Sequence, residues 1–399
     1  METEKSIYLD SACAGIYPDE VLSCAGDFVE LMRNRQLPGS EKTNIMRSYL
    51  ATCRERVARL INCSPDEIAL VESTTHGLGI VSEIVELAPE DNVLICDLEY
   101  QASYLCLRPK QRKVGFEIRR VENVGGEITA EIFGKYIDQH TKLIVLASVQ
   151  EINGFRADVR EISELAHRSN CLVAVDGIQE VGAMRVDVRE TGADFYCTGS
   201  KKWICNPFGM GFLYVRRELV EKLEPSYDTY FNVELPSGYQ NYVSYLENPS
   251  RTPFDPCPNV RTAMKFEIGA YKNYIGILGL TRAIEILLDI GLEKIEEKII
   301  SLNIRLTEGL KKIGVDTCSS KNRKHMSSTV SFNLGLKDGK SSREKELVDY
   351  LISRGLIVSL RCAVGTGGIR VSMHHYTTEN DIDSLLFHVE EFLRMKRPE

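Results

Sequence analysis

The segment that most restricts the possible folds is Cys171-Leu172-Val173-Ala174-Val175, a run of small and apolar residues that stops at Asp176. Such a run has no polar face, so it suits a strand of a sheet covered by helices on both sides. Similar runs recur at Ile68-Ala69-Leu70-Val71, around Val93, at Leu143-Ile144-Val145-Leu146, at Phe195-Tyr196-Cys197 and at Gly211-Phe212-Leu213-Tyr214-Val215. Helical spacing separates them. Ile45, Tyr49, Cys53, Val57 and Leu60 mark one face over Glu41 to Ile61, and further helices are predicted after Thr75 and from Asp158. Alternating strands and helices give an α/β chain with a mostly parallel sheet. Ligands of such sheets sit at the carboxyl ends of the strands, where Asp176 falls.

Residues 225 to 260 change character. Pro225, Pro236, Pro253, Pro256 and Pro258 predict a long ordered loop region rather than more sheet. A helix from about Thr262 to Ile290 leads out of the first unit. The remainder reads as a smaller α+β unit, with strands at Thr329 to Leu334, Leu356 to Leu360 and Ile369 to Met373, and a last helix from Thr378.

A length of 399 residues allows two domains. The net charge is -8, from 49 basic and 57 acidic residues, and no basic run stands out, which argues against nucleic acid as a partner. No apolar stretch approaches membrane length, and Met1-Glu2-Thr3-Glu4-Lys5 has no signal-peptide pattern, so a cytoplasmic protein is expected. The twelve cysteines are scattered, without Cys-x-x-Cys, most of them in apolar settings, and read as reduced, buried thiols. His374-His375 lacks acidic or thiol neighbours at metal-ligand spacing, and no metal is expected.

The chemistry concentrates at a few places. Asp176-Gly177-Ile178-Gln179 closes the apolar strand, and Lys202-Trp203, preceded by Lys201, follows 23 residues after Gln179. A carboxylate at a buried strand end is costly unless a cation or donor meets it. A lysine enclosed between an apolar strand and Trp203 has a lowered pKa and becomes a nucleophile toward an aldehyde. One acid to keep a pyridine nitrogen protonated and one amine to form a Schiff base are the needs of pyridoxal phosphate. Gln179 can then donate to the cofactor's phenolic oxygen, and the second lysine, Lys201, can neutralise phosphate. Ser73-Thr74-Thr75-His76-Gly77 joins a strand to a helix, either as an ordinary helix cap or as a phosphate site. Arg370, between apolar neighbours on a late strand, needs an anion, which is either a substrate carboxylate or a structural partner. Gly365, Gly367 and Gly368 are followed by no helix and form no dinucleotide fingerprint, which disfavours a nicotinamide dehydrogenase.

These residues, in this order, resemble the class V aminotransferase family, which includes cysteine desulfurases, selenocysteine lyases, kynureninases and isopenicillin N epimerases. The likeness runs from Tyr8-Leu9-Asp10-Ser11-Ala12-Cys13-Ala14-Gly15 to Gly368-Ile369-Arg370-Val371-Ser372-Met373-His374-His375-Tyr376-Thr377-Thr378-Glu379. It implies the fold type I architecture of pyridoxal-phosphate-dependent transferases. That is a large domain over 16–260 with a seven-stranded, mostly parallel sheet, and a small α+β domain over 261–399 joined by residues 1–15. It implies Lys202 as the Schiff-base lysine, Asp176 at the pyridine nitrogen, Gln179 at the phenolate oxygen, and Thr74, Thr75, His76 and Lys201 around the phosphate. Tyr100, in Glu99-Tyr100-Gln101-Ala102, is to stack on the ring, and Arg370 is to bind the substrate carboxylate. The family is dimeric with shared active sites, and Phe254-Asp255-Pro256-Cys257-Pro258-Asn259 is similar to the segment that reaches a partner's phosphate, through Cys257 and Asn259. Glu151 stands where desulfurases usually have an asparagine near the substrate. The loop before Arg370 is short, whereas desulfurases carry a sulfur-accepting cysteine on a longer one, and Cys362 is the thiol in this stretch.

The expected activity acts on an α-amino acid through a Lys202 Schiff base and a Cα-deprotonated quinonoid. β-Elimination of a C–S lyase or cysteine desulfurase kind comes first. Epimerisation or transamination is the alternative, and the short loop and the Asn206-Pro207-Phe208-Gly209 spacing lean toward the epimerase-like branch. A scaffold protein that has lost catalysis is disfavoured by the complete set of Asp176, Gln179, Lys202 and Arg370.

Overall fold

All six apolar runs, and one further strand, pair into one sheet in a computed structural model that describes residues 6–207, 209–229, 232–239, 242–268, 272–336 and 341–395. In chain order the strands are β1 (Ile7–Tyr8), β2 (Ile68–Val71), β3 (Asn92–Cys96), β4 (Glu117–Val121), β5 (Thr141–Ala147), β6 (Leu172–Asp176), β7 (Phe195–Gly199), β8 (Gly211–Val215), β9 (Thr329–Phe332), β10 (Leu356–Ile357), β11 (Ser359–Ala363) and β12 (Thr366–Ser372). The main sheet has the order β2-β8-β7-β6-β5-β3-β4. Its β4, β3, β5, β6 and β7 are parallel, and β8 runs antiparallel to both β7 and β2.

The unbroken apolar character of the central strands follows from burial on both faces. Leu94, Ile144, Leu146, Val173, Val175 and Tyr196 face a core shared with the helices Asp19–Arg33, Gly39–Ile61 and Tyr274–Ile290. Val93, Ile95, Val145, Ala174, Phe195 and Cys197 face a second core that includes Leu78 and Val81 of the helix Thr74–Ile84. Each fully buried Val, Leu or Ile side chain stabilises the fold by about 1.5–3 kcal/mol. Register then lines up the strand ends: Ala147 lies opposite Asp176, and Asp176 opposite Cys197. The chain runs from β3 out to β4 and returns to β5 on the other side of β3, so the strand order reverses beside these ends, the usual place of a ligand crevice.

Two expectations change. The helix predicted from Thr262 begins at Tyr274, where the Asn273 side chain accepts the Gly276 N–H (2.9 Å). The residues before it serve the sheet edge instead: buried Glu267 accepts from Leu70 N–H (2.8 Å) and pairs with Arg54 (2.6 Å) and Lys272 (2.9 Å). The strand predicted over Leu356 to Leu360 is divided at Val358. Its first part, β10, pairs parallel with β1, while β11 joins an antiparallel sheet of order β11-β12-β9. That sheet shares a third core with Leu9, the helix Ser342–Ser353 and the last helix, Glu379–Met395. Leu9 and the bridge between Asp10 and Ser372 thus bring the start of the chain to Arg370.

Candidate active site

A cavity of about 330 Å³ opens at the ends of β5, β6 and β7, lined among others by Thr75, Tyr100, Glu151, Asp176, Lys201 and Lys202. Asp176 is buried, and its Oδ1 accepts the Ile178 N–H (3.0 Å). The residue between them must be glycine, because a Cβ on Gly177 would overlap the Tyr196 ring. Gln179 is fixed from both ends of its amide. The buried Trp203 indole N–H donates to Oε1 (3.1 Å), which identifies the other atom as nitrogen, and Nε2 donates to the Ala12 carbonyl (3.3 Å). Trp203 therefore orients Gln179 besides packing, a link the adjacency of Lys202 and Trp203 did not disclose.

Lys201 and Lys202 lie in the turn from β7 to β8. Gly15 presses against this turn: its N–H donates to the Lys201 carbonyl (2.9 Å), and a side chain there would collide with the Lys202 carbonyl. Burial pushes the Lys202 amine down to about 8, against the attraction of Asp176 and Glu151. Burial likewise pushes the Asp176 carboxyl up to about 6, with the Ile178 N–H and Lys202 opposing it. Lys201 is exposed and, among the described residues, has no carboxylate within ion-pair distance. The Asn206 amide donates to Ser200 Oγ (3.2 Å) and to the Gly276 carbonyl (3.0 Å), so it braces the turn; Phe208 of the same stretch lies outside the described residues.

The phosphate motif divides. The helix Thr74–Ile84 starts at the cavity, so its first-turn N–H groups and positive dipole end suit an anion there. Thr74 Oγ1 accepts the Gly199 N–H (2.8 Å) and ties the helix to β7, while Thr75 is exposed to the cavity. Ser73 caps the helix by accepting the His76 N–H (3.1 Å). His76 itself is not brought to the cavity. Its Nδ1 accepts the Glu72 N–H (3.3 Å), and its side chain lines a separate surface cavity with Cys106, Tyr227 and Phe266.

Tyr100, 48 % exposed, stands at the cavity on the turn after β3. The preceding Glu99 anchors that turn by accepting from Ala147 N–H (2.8 Å) and Gln150 Nε2 (2.7 Å), and burial pushes its carboxyl up to about 8. Arg370 is set back from the lining. It is 1 % exposed and donates to Asp10 Oδ1 (3.0 Å), Ser359 Oγ (3.2 Å) and the Glu151 carbonyl (3.2 Å). The Asp10 partnership went unread in the sequence. Its signal was an acid directly after Tyr8-Leu9, in a stretch apolar enough to be buried. Cys257 is exposed and Asn259 forms an isolated bridge with Val233; neither lines the cavity of this chain. Cys362 is exposed on β11, opposite Gly367, and does not line it either.

A buried acid, a lysine of lowered pKa and a helix start suited to phosphate, all at the ends of parallel strands, define a pyridoxal-phosphate enzyme of the α/β kind. The donor set fits the cofactor: an enclosed carboxylate for the ring nitrogen, an amine for the aldehyde, and Thr75 with Lys201 for the phosphate. The chain belongs to the aminotransferase class-V family, whose model matches residues 7–385. Among curated proteins it is 27 % identical to a probable cysteine desulfurase of Methanothermobacter thermautotrophicus, over 87 % of this chain and 84 % of that one. It is 25 % identical to a cysteine desulfurase of Klebsiella pneumoniae, over 73 % and 69 %. Among solved structures it superposes on the apo cysteine desulfurase of Thermococcus onnurineus with a TM-score of 0.82 at 23 % identity, covering 98 % and 95 % of the two chains. The cystine C–S lyase C-DES gives a TM-score of 0.84 at 20 % identity, covering 98 % of each chain. These two likenesses establish the fold. Among the described residues, no helix is long and apolar enough to cross a membrane.

Proposed function

We propose that this enzyme removes a sulfur substituent from Cβ of an α-amino acid by β-elimination, as a C–S lyase rather than as a desulfurase that passes sulfur to its own cysteine. The observation that carries the choice is that no cysteine lies among the described residues lining the cavity. Cys362 sits on the β11–β12 hairpin, and although its surface is exposed, the partial enclosure of its thiol and the nearby Glu344 carboxylate raise its pKa, the opposite of what an attacking thiolate needs. The sequence similarity to cysteine desulfurases supports a cysteine-type substrate.

Pyridoxal phosphate, when bound, supplies the electron sink that makes the substrate's Cα–H acidic. The protein holds that sink in place and moves the protons. Asp176 keeps the ring nitrogen protonated, and Gln179, fixed by Trp203, donates at the phenolic oxygen. The helix start at Thr75 and the free charge of Lys201 hold the phosphate, and Tyr100 covers the ring. The Lys202 amine, neutral in a sizeable fraction near pH 8, takes the α-proton. The Cα–H and Cβ–S bonds break, the sulfur leaves as a thiol with one proton, and water converts the three-carbon remainder to pyruvate and ammonium. A homodimer belongs to the same proposal: Phe254, 90 % exposed, projects from the segment that carries Cys257 and Asn259.

The test is product analysis with the cofactor-loaded protein and a panel of cysteine, S-alkyl cysteines and cystine. Pyruvate with one equivalent of sulfur product is expected: sulfide from cysteine, a thiol from an S-alkyl cysteine and cysteine persulfide from cystine. Alanine with enzyme-bound sulfur would establish desulfuration instead, and solvent deuterium at Cα without net product would establish epimerisation. Sedimentation of the same preparation tests the dimer.

A further inference from the structure

Beside Lys202 one guanidinium serves two carboxylates. Arg370 Nη2 is 3.0 Å from Asp10 Oδ1, within hydrogen-bond distance, whereas its Nη1 is 3.8 Å from Glu151 Oε2. Asp10 therefore has the first claim on the charge, reinforced by Ser359, whose hydroxyl donates to Asp10 Oδ1 (2.9 Å). Of the two acids, only Glu151 lines the cavity. Its side chain is 20 % exposed and that of Arg370 1 %. The surface offered to a substrate is thus the carboxylate and not the guanidinium.

Of the neighbouring charges, Lys201 is the cation of the lining given to the cofactor phosphate, and the others do not correct this imbalance. Arg361, on the adjacent strand, donates to the Leu360 carbonyl (2.8 Å), does not line the cavity and has no carboxylate within ion-pair distance among the described residues. Lys202 is engaged with the cofactor when that is bound. Asp176 is another acid, and Glu99 is tied to Ala147 and Gln150. A substrate carboxylate that approaches Arg370 Nη1 comes in alongside Glu151 and meets like charge. A cation on the same substrate removes that penalty.

We infer that Glu151 determines substrate class, and that the preferred substrate is a cysteine derivative whose sulfur substituent carries an ammonium group to pair with the Glu151 carboxylate. This rests on the elimination reading for its reaction, but the charge preference itself is a matter of binding and can be measured separately. Amino acids with neutral or anionic sulfur substituents bind less well on the same argument.

The experiment uses the cofactor-loaded enzyme and two isosteric pairs. S-(2-aminoethyl)-L-cysteine and S-propyl-L-cysteine differ in one terminal group and are compared by kcat/KM for pyruvate release. L-Lysine and L-2-aminoheptanoic acid, which carries a methyl in place of the ammonium, have no leaving group and are compared by calorimetric binding. The ammonium member is expected to win by about tenfold or more in both pairs, as a close charge pair in a partly enclosed site allows. Glu151→Gln is expected to bring both ratios close to one, by weakening the ammonium member while leaving the neutral one unharmed. Glu151→Asp, which keeps the charge, is expected to retain part of the preference. Equal ratios in wild type, or ratios that Glu151→Gln leaves unchanged, overturn the inference. Should the variants fail to fold, the wild-type ratios alone decide it. A lysine preference without pyruvate from either sulfur compound would sink the elimination reading and leave the role of Glu151 standing. Pyruvate without any charge preference would do the reverse.

Discussion

The lowered pKa of Lys202 makes a quantitative claim about how much reactive amine the site holds. An ordinary lysine at 10.5 is neutral in about one molecule in a thousand at pH 7.5, whereas an amine at about 8 is neutral in about a quarter of molecules. The gain in nucleophile is thus on the order of two hundredfold, and the shift corresponds to about 3 kcal/mol of disfavoured charge. Burial supplies it, and Asp176, still mostly ionised above pH 7 with its carboxyl at about 6, works against it. Replacing Asp176 by asparagine keeps the volume and removes the opposing charge, so the Lys202 amine should fall below 8. Competitive acetylation of the cofactor-free protein across pH 6 to 11, read by mass spectrometry on the peptide that contains Lys202, measures the titration directly. A wild-type midpoint near 10.5, or a midpoint that rises in Asp176→Asn, would refute the argument that an enclosed site sets this pKa.

Other outcomes follow from the same geometry. Because the folded Lys202 binds its proton less tightly than the unfolded chain, stability of the cofactor-free protein gains with pH between about 8 and 10.5; the wild-type minus Lys202→Met difference in urea unfolding should rise by up to about 3 kcal/mol across that window, and below pH 8 the full cost is present. Gly177→Ala drives a methyl into the Tyr196 ring and should cost about 1–3 kcal/mol or more in thermal unfolding, partly recovered by Tyr196→Leu. Asp10→Ala leaves buried Arg370 with only the more distant Glu151 carboxylate and should cost about 3–5 kcal/mol in the same assay, with Asp10→Asn costing less. Cys362→Ser should leave the rate of pyruvate release unchanged.

The parallel strands were legible because burial on both faces writes itself as an unbroken apolar run, and Asp176 was legible because it ends one. Asp176, Gln179 and Lys202 could be paired across 23 residues because adjacent strands end side by side, which the register of β6 against β7 carries out. What escaped reading depends on partners far apart in the chain. Nothing local to Leu356-Ile357 says that Ile7 and Tyr8 will pair with it, and that pairing is what divides the predicted strand. The start of the helix at Tyr274 reflects Glu267, which is drawn to Arg54 and Leu70 some two hundred residues earlier. His76 follows Thr75 in the motif, yet the helix turns the two side chains to different cavities. Arg370 is the sharpest case. The sequence states that it needs an anion and leaves open whether substrate or protein provides one. Asp10, 360 residues away, pairs with it at 3.0 Å, while Glu151 stands 3.8 Å from the same guanidinium. The order of the motif residues is written locally in the chain, while which acid reaches the guanidinium is decided by residues 360 positions apart.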